Sequence, residues 1–383
     1  MHFELTPEQQ DIKKAAREFA EGEFPDVALE YDKKEEFPME IWKKACGLGF
    51  VGIFIDEKYG GAGMGYLDNA LVTEEFWRVD PGMGTMLLTT LGSEIILMHG
   101  KKDQKEKYLP PLCTGDAIMG LGCTEPDAGS DLTSVSTTAA KENGEYVING
   151  SKIFITNGTI ADYLVVFCVT NPDVENPFAR HSLIMVETDR KGFEANKLMG
   201  KMGARATITS ELSFNDVRVP ESNLVGEVEG KGFYQIMDMF NRTRVGVAAQ
   251  GTGVAQGALE MAVRYTKKRQ QFGKSIASFQ ATQFKIAEMA TKIEAGRSLY
   301  YRAASLLDQG RVEPEIISMA KWYCGETGVR VTDEALQMHG GYGYFEEYNI
   351  ERFYRAAKIV EIVEGTKDIE KLIIARELLK KIV

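Results

Sequence analysis

The apolar rhythm of the chain changes twice, and the changes divide it into three. Up to about residue 118 apolar positions recur in threes and fours between glycine-rich turns such as Tyr59-Gly60-Gly61-Ala62-Gly63, the pattern of amphipathic helices. Near residue 119 short β-rich runs take over, and from Gly230-Lys231-Gly232 the pattern turns helical again. A helix and a strand present their apolar residues with different repeats, so each stretch needs its own kind of layer. The pattern predicts a mainly α protein with a central β domain. An N-terminal helical domain covers 1–118, a middle β domain 119–229 and a C-terminal helical domain 230–383. The 383 residues are enough for two or three such cores.

Local signals fill in the three parts. Thr6-Pro7-Glu8-Gln9 reads as a capping box with Pro at the first helical position. In the middle part, Glu145-Tyr146-Val147-Ile148 and Ser151 to Thr156 read as a hairpin, with Asn149-Gly150 supplying the positive φ of a type I′ turn. Further strands are expected at Tyr163 to Val169, His181 to Val186 and Ser210 to Val219, with Pro220 closing the last. Ile286, Met289, Ala290, Ile293, Leu299, Tyr300, Ala303 and Leu306 form the stripe of a long packed helix; Pro314 opens another, and Gly340-Gly341 ends that region.

The charge balance excludes some functions. A net charge of −11 argues against a nucleic-acid binder, which needs a basic face, but leaves room for a small anionic ligand held by a few cations. No Cys or His spacing suits a metal, and Cys46, Cys113, Cys123, Cys168 and Cys324 read as inert thiols of a reducing compartment. No run approaches 18 apolar residues, and the opening Met1 to Gln9 lacks the basic and apolar stretches of a signal peptide. The expectation is a cytoplasmic protein with no membrane span.

Four segments could carry chemistry. Ile362-Val363-Glu364-Gly365-Thr366 sets a carboxylate between apolar residues and ahead of a helix that Thr366 can cap. A carboxylate dried by such neighbours is a stronger base, although an ordinary loop glutamate would look the same. The segment Cys123 to Asp131, rich in Gly, Ser and Thr, suits phosphate or the polar edge of a heterocycle, and equally a plain turn. Phe154 and Thr156 stand two apart on one strand face, where an aromatic could cover a planar ring and a hydroxyl could bond its edge. Arg269, ahead of Gln270-Gln271-Phe272-Gly273-Lys274, either complements a helix C-terminus or forks onto a pyrophosphate. Gln337-Met338-His339-Gly340-Gly341 follows a helix, so it is no dinucleotide fingerprint, and His339 reads as structural.

In this order the segments resemble the acyl-CoA dehydrogenase family along essentially the whole chain. The likeness is carried by Lys107-Tyr108-Leu109-Pro110, Thr124-Glu125-Pro126, Ala128-Gly129-Ser130-Asp131 and Ile155-Thr156-Asn157-Gly158. It continues through Gly230-Lys231-Gly232-Phe233, Arg244 with Val247-Ala248-Ala249, and Arg269 with Phe272-Gly273. Gln337, Gly340-Gly341-Tyr342-Gly343 and Glu364-Gly365-Thr366 complete it. The resemblance implies FAD, a β-barrel-like middle domain, a C-terminal four-helix bundle and a homotetramer. Thr124 and Thr156 would bond the flavin ring, with Phe154 packed on it and Cys123 beside it. Ser130 would lie near the phosphates and the substrate, and Thr366 and Asp368 near the pyrophosphate. Arg269, Phe272, Gln337 and Gly341 would reach the FAD of a neighbouring subunit. Asn241 and Arg244 would follow the CoA tail, with Val363 and Gly365 beside the thioester. Glu364 matches the catalytic base: it would take the α-proton while the β-hydrogen leaves as hydride to flavin N5. The product would be a 2,3-enoyl-CoA, and an electron-transfer flavoprotein would take the electrons.

Three positions depart from the family pattern. Val363 replaces a common Tyr and should reshape the pocket beside the thioester; Ala356 replaces a common Asp, removing a local ion pair; Asn241 stands where some relatives carry Asp. The acyl tail should meet Met83 to Leu91, which is apolar with small hydroxyls and has no Arg. That disfavours a glutaryl-type dicarboxylic acyl group and leaves short, branched or cyclic ones. An acyl-CoA oxidase using O2 is the nearest rival, though such relatives usually carry a further C-terminal extension, and Lys381-Ile382-Val383 is no peroxisomal signal. A non-catalytic scaffold is the other.

Overall fold

The structure is a computed structural model that describes residues 4–382; Met1 to Phe3 and Val383, which bound the expected first and last domains and the two terminal strings, lie outside the described residues. The first part is helical: α1 (Pro7–Glu23), α2 (Ala28–Lys34), α3 (Met39–Gly47), α4 (Tyr66–Val79), α5 (Ser93–His99), α6 (Lys102–Tyr108) and α7 (Pro110–Thr114). The capping box is present, with Thr6 Oγ1 accepting from Gln9 N at 3.2 Å and Gln9 Oε1 accepting from Thr6 N at 3.1 Å. Inside, Phe19, Phe24, Phe50 and Phe76 pack ring against ring, with centroids 5.3 to 5.9 Å apart.

The middle is one mixed sheet of seven strands: β1 (Met119–Gly122), β2 (Thr138–Glu142), β3 (Glu145–Thr156), β4 (Tyr163–Val169), β5 (His181–Glu187), β6 (Phe193–Lys197) and β7 (Thr209–Pro220). Their order is β1-β4-β2-β3-β7-β6, with β5 also paired to β4. The three expected runs become β4, β5 and β7. The expected hairpin at Asn149-Gly150 does not form. Residues Glu145–Thr156 are a single strand, and the hairpin turn is the Asn143-Gly144 pair before it, at φ 50° and 85°. Asn149-Gly150 is instead a bulge, where the register with β7 slips between Ile148 and Gly150. Surroundings decide between two identical dipeptides: nothing lies near Gly144, whereas a Cβ on Gly150 would come within 2.6 Å of Thr137.

The last part holds α8 (Gly232–Lys268), a two-residue hairpin of β8 (Gln270–Gln271) and β9 (Lys274–Ser275), α9 (Gln280–Asp308), α10 (Pro314–His339), α11 (Ile350–Ala357) and α12 (Lys367–Lys381). α8 packs against α4, α9 and α10, and α12 lies on α10. This gives two helical domains flanking a sheet, the expected architecture. Gly251, Gly253 and Gly257 let α8 approach its neighbours closely, since side chains there would overlap backbone of α10 and α4. Buried ion pairs cross between the helical domains: Asp80 with Arg352 at 2.6 Å, and Glu74 with Arg297 at 2.9 Å.

Candidate active site

Glu364 sits in a left-handed loop between α11 and α12. A short 3-10 turn, Lys358–Glu361, follows α11, and Val363 N bonds back to Ile359 O at 3.1 Å. Glu364 and Gly365 then take φ of 54° and 115°. A Cβ at Gly365 would overlap the carboxylate of Glu370 as well as strain the backbone, so any other residue would shift the loop or Glu370. Two buried cations pin consecutive carbonyls of the loop. Arg244 Nε donates to Glu364 O at 2.8 Å, and Lys321 Nζ donates to Gly365 O. Arg244 also pairs with Glu370 at 3.0 Å behind the loop.

The carboxylate itself accepts from Thr243 Oγ1 at 2.5 Å. Burial raises the Glu364 pKa above the usual carboxylate value; the Thr243 hydrogen bond, Arg244 and Lys321 pull it down, and Glu370 pushes it up. Burial likewise lowers Lys321 to about 8, against the pull of Glu370 and Glu364. The arrangement is a half-buried carboxylate on a loop pinned at two carbonyls, with one hydroxyl bonded to it.

A second cluster gathers on the sheet. Ile153 N donates to Thr124 O at 2.9 Å, which holds the Cys123 to Asp131 turn against a second bulge in β3, between Lys152 and Ile155. Phe154 occupies that bulge at φ 59° with its ring 66% exposed. Asn157, just beyond Thr156, donates to Leu88 O at 2.9 Å and Met119 O at 3.3 Å, joining this edge to the Met83 to Leu91 segment. The turn is built on a charge pair that sequence reading missed. Buried Lys152 reaches Glu125 at 2.9 Å, Cys123 O at 3.1 Å and Phe167 O at 2.7 Å. Burial would raise Glu125, but Lys152 and bonds from Thr137 and Ser136 outweigh it and hold it at about 2. Ser130 stands at the exposed end of the turn. Thr366 is the N-cap of α12 in extended conformation, its hydroxyl bonding no helix amide, with Asp368 exposed in the first turn.

The other expected residues divide. Arg269, Gln337 and Gly341 line one cleft of about 610 Å³, with the Arg269 guanidinium 5.5 Å from the Tyr342 ring centre. Phe272 is outside it, 93% exposed at the tip of the β8–β9 hairpin. His339 bonds Ala335 O at 2.7 Å and stacks on Tyr265 at 4.4 Å, in a structural role. Arg244 is only 3% exposed and is occupied by the loop, while Asn241 Oδ1 accepts from it at 3.4 Å. Val363 packs partly into the helical core. Ala356 is buried, with Gly203 close against its backbone, and the adjacent Arg355 pairs with Asp32 at 3.0 Å and Glu351 at 2.6 Å.

Sequence reading found Glu364 but not Thr243, Lys321 or Glu370. Only Glu370, in the first turn of α12, carried a positional signal. Among the described residues no group of side chains suits a metal, all five cysteines are free and buried, and no helix is long and apolar enough to cross a membrane.

Comparison with known proteins gives three family models along the chain. The acyl-CoA dehydrogenase N-terminal domain matches residues 6–116, the middle domain 120–217 and the C-terminal domain 230–379. The chain is 44% identical to an acryloyl-CoA reductase (NADH) of Anaerotignum propionicum, over 100% of this chain and 97% of that one. It is 41% identical to the CarC subunit of the caffeyl-CoA reductase–Etf complex of Acetobacterium woodii, over 97% and 98%. Among solved structures, butyryl-CoA dehydrogenase from Megasphaera elsdenii superposes with a TM-score of 0.95 at 40% identity, over 99% and 100%.

Proposed function

Because the chain belongs to the acyl-CoA dehydrogenase family, whose members are FAD-dependent oxidoreductases, we propose that it desaturates an acyl-CoA thioester to the 2,3-enoyl-CoA with Glu364 as the α-proton base. The observation that carries this reading is the half-buried Glu364 carboxylate, its pKa raised by burial yet held by Thr243 on a loop whose carbonyls are pinned. A thioester α-proton is weakly acidic, so its removal needs a raised base and a donor at the carbonyl oxygen. Glu364 supplies the first. Its own amide, which has no acceptor among the described residues, is suited to the second. Substrate entering the site expels water and raises the carboxylate further.

The residues present fit FAD. The exposed Phe154 ring, held at a positive φ, is a ready cover for a planar ring, and the uncapped start of the 15-residue α12 suits a pyrophosphate. Thr124, Thr156 and Cys123 would hold the flavin edge, Ser130, Thr366 and Asp368 the phosphates. Arg269, Phe272, Gln337 and Gly341 would serve a neighbouring subunit of a homotetramer. Bound FAD would accept the β-hydrogen as hydride and pass its electrons to an electron-transfer flavoprotein, a partner supported by the Etf-complexed relative. In the reverse direction, favoured by the two relatives named reductases, the protonated Glu364 would return the α-proton. Asn241, Val363 and Gly365 would border the acyl-CoA, with Arg244 behind them, and a short acyl chain is supported by the butyryl-CoA relative.

The test is Glu364→Gln. The variant should purify yellow with bound flavin yet bleach on anaerobic addition of butyryl-CoA slower by several orders of magnitude. Near wild-type bleaching would assign the base elsewhere.

A further inference from the structure

Glu94 is a carboxylate that the chemistry above does not use and the fold does not satisfy. It lies in the first turn of α5, just after the Met83–Thr89 segment that Asn157 ties to the sheet. Its Oε2 is closed off from solvent with no hydrogen-bond partner among the described residues, and the neighbouring Ser93 hydroxyl is equally unpartnered. α5 packs on α8, the helix that carries Thr243 to Glu364. Burial pushes the Glu94 carboxyl up to about 8, the charge of Glu364 adds to the push, and the amides of Gly92 and Glu94 at the helix start only partly oppose it. No Lys or Arg is among the groups that bear on it.

A pocket for a purely alkyl tail gains nothing from such a group, since a buried polar atom without a partner is costly and an apolar side chain would fill the space better. We propose that Glu94 is a specificity residue of the acyl site, and that the acyl group it takes carries an ammonium on a carbon beyond the β-position. A cation supplies both the missing hydrogen-bond donor and the charge that two neighbouring carboxyls call for. A hydroxyl would supply only the donor, and a second carboxylate would be repelled once Glu94 ionises. This assignment rests on Glu364 being the base and names the class of substrate presented to it.

The experiment compares ω-ammonioacyl-CoA thioesters of four to six carbons with ω-hydroxy, ω-carboxy and methyl-ended thioesters of the same length. Each is scored by anaerobic flavin bleaching in wild type, Glu94→Gln and Glu94→Leu, and by its binding to Glu364→Gln, where turnover is blocked. The expected result is a preference of wild type for an ammonio chain over its methyl-ended counterpart of about tenfold or more in kcat/KM, roughly what a good charge-assisted contact provides. Glu94→Leu should invert that ratio and Glu94→Gln should abolish it. A wild-type preference for the methyl, hydroxyl or carboxylate series, or a ratio unchanged in both variants, would overturn the proposal while leaving the dehydrogenase reading intact. Failure of every thioester to bleach wild type would instead count against that reading, and with it this one.

Discussion

A carboxylate serves as a base near neutral pH only when its surroundings penalise its charge without abolishing it, and at Glu364 the opposing influences are separable. Burial is the largest and raises the pKa; Thr243 is the nearest group favouring the ion. Thr243→Val keeps the shape and removes the hydrogen bond, so the folded-state pKa should rise further. The ionised base would then form only at higher pH. The acid limb of kcat/KM should move up by about one unit, with activity recovering on the alkaline plateau. An unmoved limb would mean that Thr243 does not tune the base. At this scale the sequence was legible where one residue and its chain neighbours make the chemistry. Val363, Glu364 and Gly365 are adjacent, whereas Thr243 and Lys321 reach the site from helices 121 and 44 residues away. Glu94 is silent in the sequence for another reason: it lies beyond Leu91, where the segment expected to meet the acyl tail ends, and a helix-start glutamate is ordinary until its surroundings are known.

The elements that present these side chains depend on backbone that local pattern describes incompletely. The resemblance puts Gly365 beside the thioester, and the loop adds a positive φ and the carboxylate of Glu370. Gly365→Ala should therefore fold, keep its helices by circular dichroism, and bleach with substrate at least about 100-fold more slowly, because a small misplacement of a base is that costly. Bleaching within a factor of a few would show that the loop tolerates reshaping. On the sheet, the two Asn-Gly pairs teach the limit of turn chemistry: both offer positive φ, but Gly144 stands in the open as a turn while Gly150, with Thr137 packed on it, is a bulge within a strand. The same sheet edge depends on Lys152 and Glu125. Lys152→Met leaves Glu125 buried without its cation, which should cost roughly 3–5 kcal/mol and lower the melting temperature. Glu125 has its folded pKa depressed to about 2, so the stability it adds is present above the ordinary carboxylate range and is lost as pH falls toward 2. The variant should accordingly lose part of the wild-type dependence of melting temperature on acid pH. A melting curve like that of wild type across the acid range would exclude the pair as the support of the turn.

At the scale of the whole molecule, the three-part order of helix, sheet and helix follows from the changes of periodicity, because each part builds a distinct layer. How the parts meet does not follow from them. The contact of α8 with α4 depends on glycines that no periodicity singles out, and the pairs Asp80–Arg352 and Glu74–Arg297 join residues more than 200 positions apart. One chain also leaves apolar surface that its own core does not use: Phe272 at the hairpin tip, Phe345 in the wall of the cleft lined by Arg269 and Gln337, and Tyr344 next to it in the chain. Exposed aromatics next to a cleft with an arginine over a tyrosine ring suit a contact with another chain. If a second copy covers that face, Phe272→Asp places a charge in a dry contact. Sedimentation should then show a tetramer giving way to smaller species, and the flavin-to-protein ratio should fall with it, while the isolated subunits keep their helix content. A stable tetramer with full flavin content would separate this hairpin from assembly. A smaller oligomer with full flavin content would mean that one chain alone holds the cofactor, and that Arg269, Gln337 and Gly341 do not reach across to it.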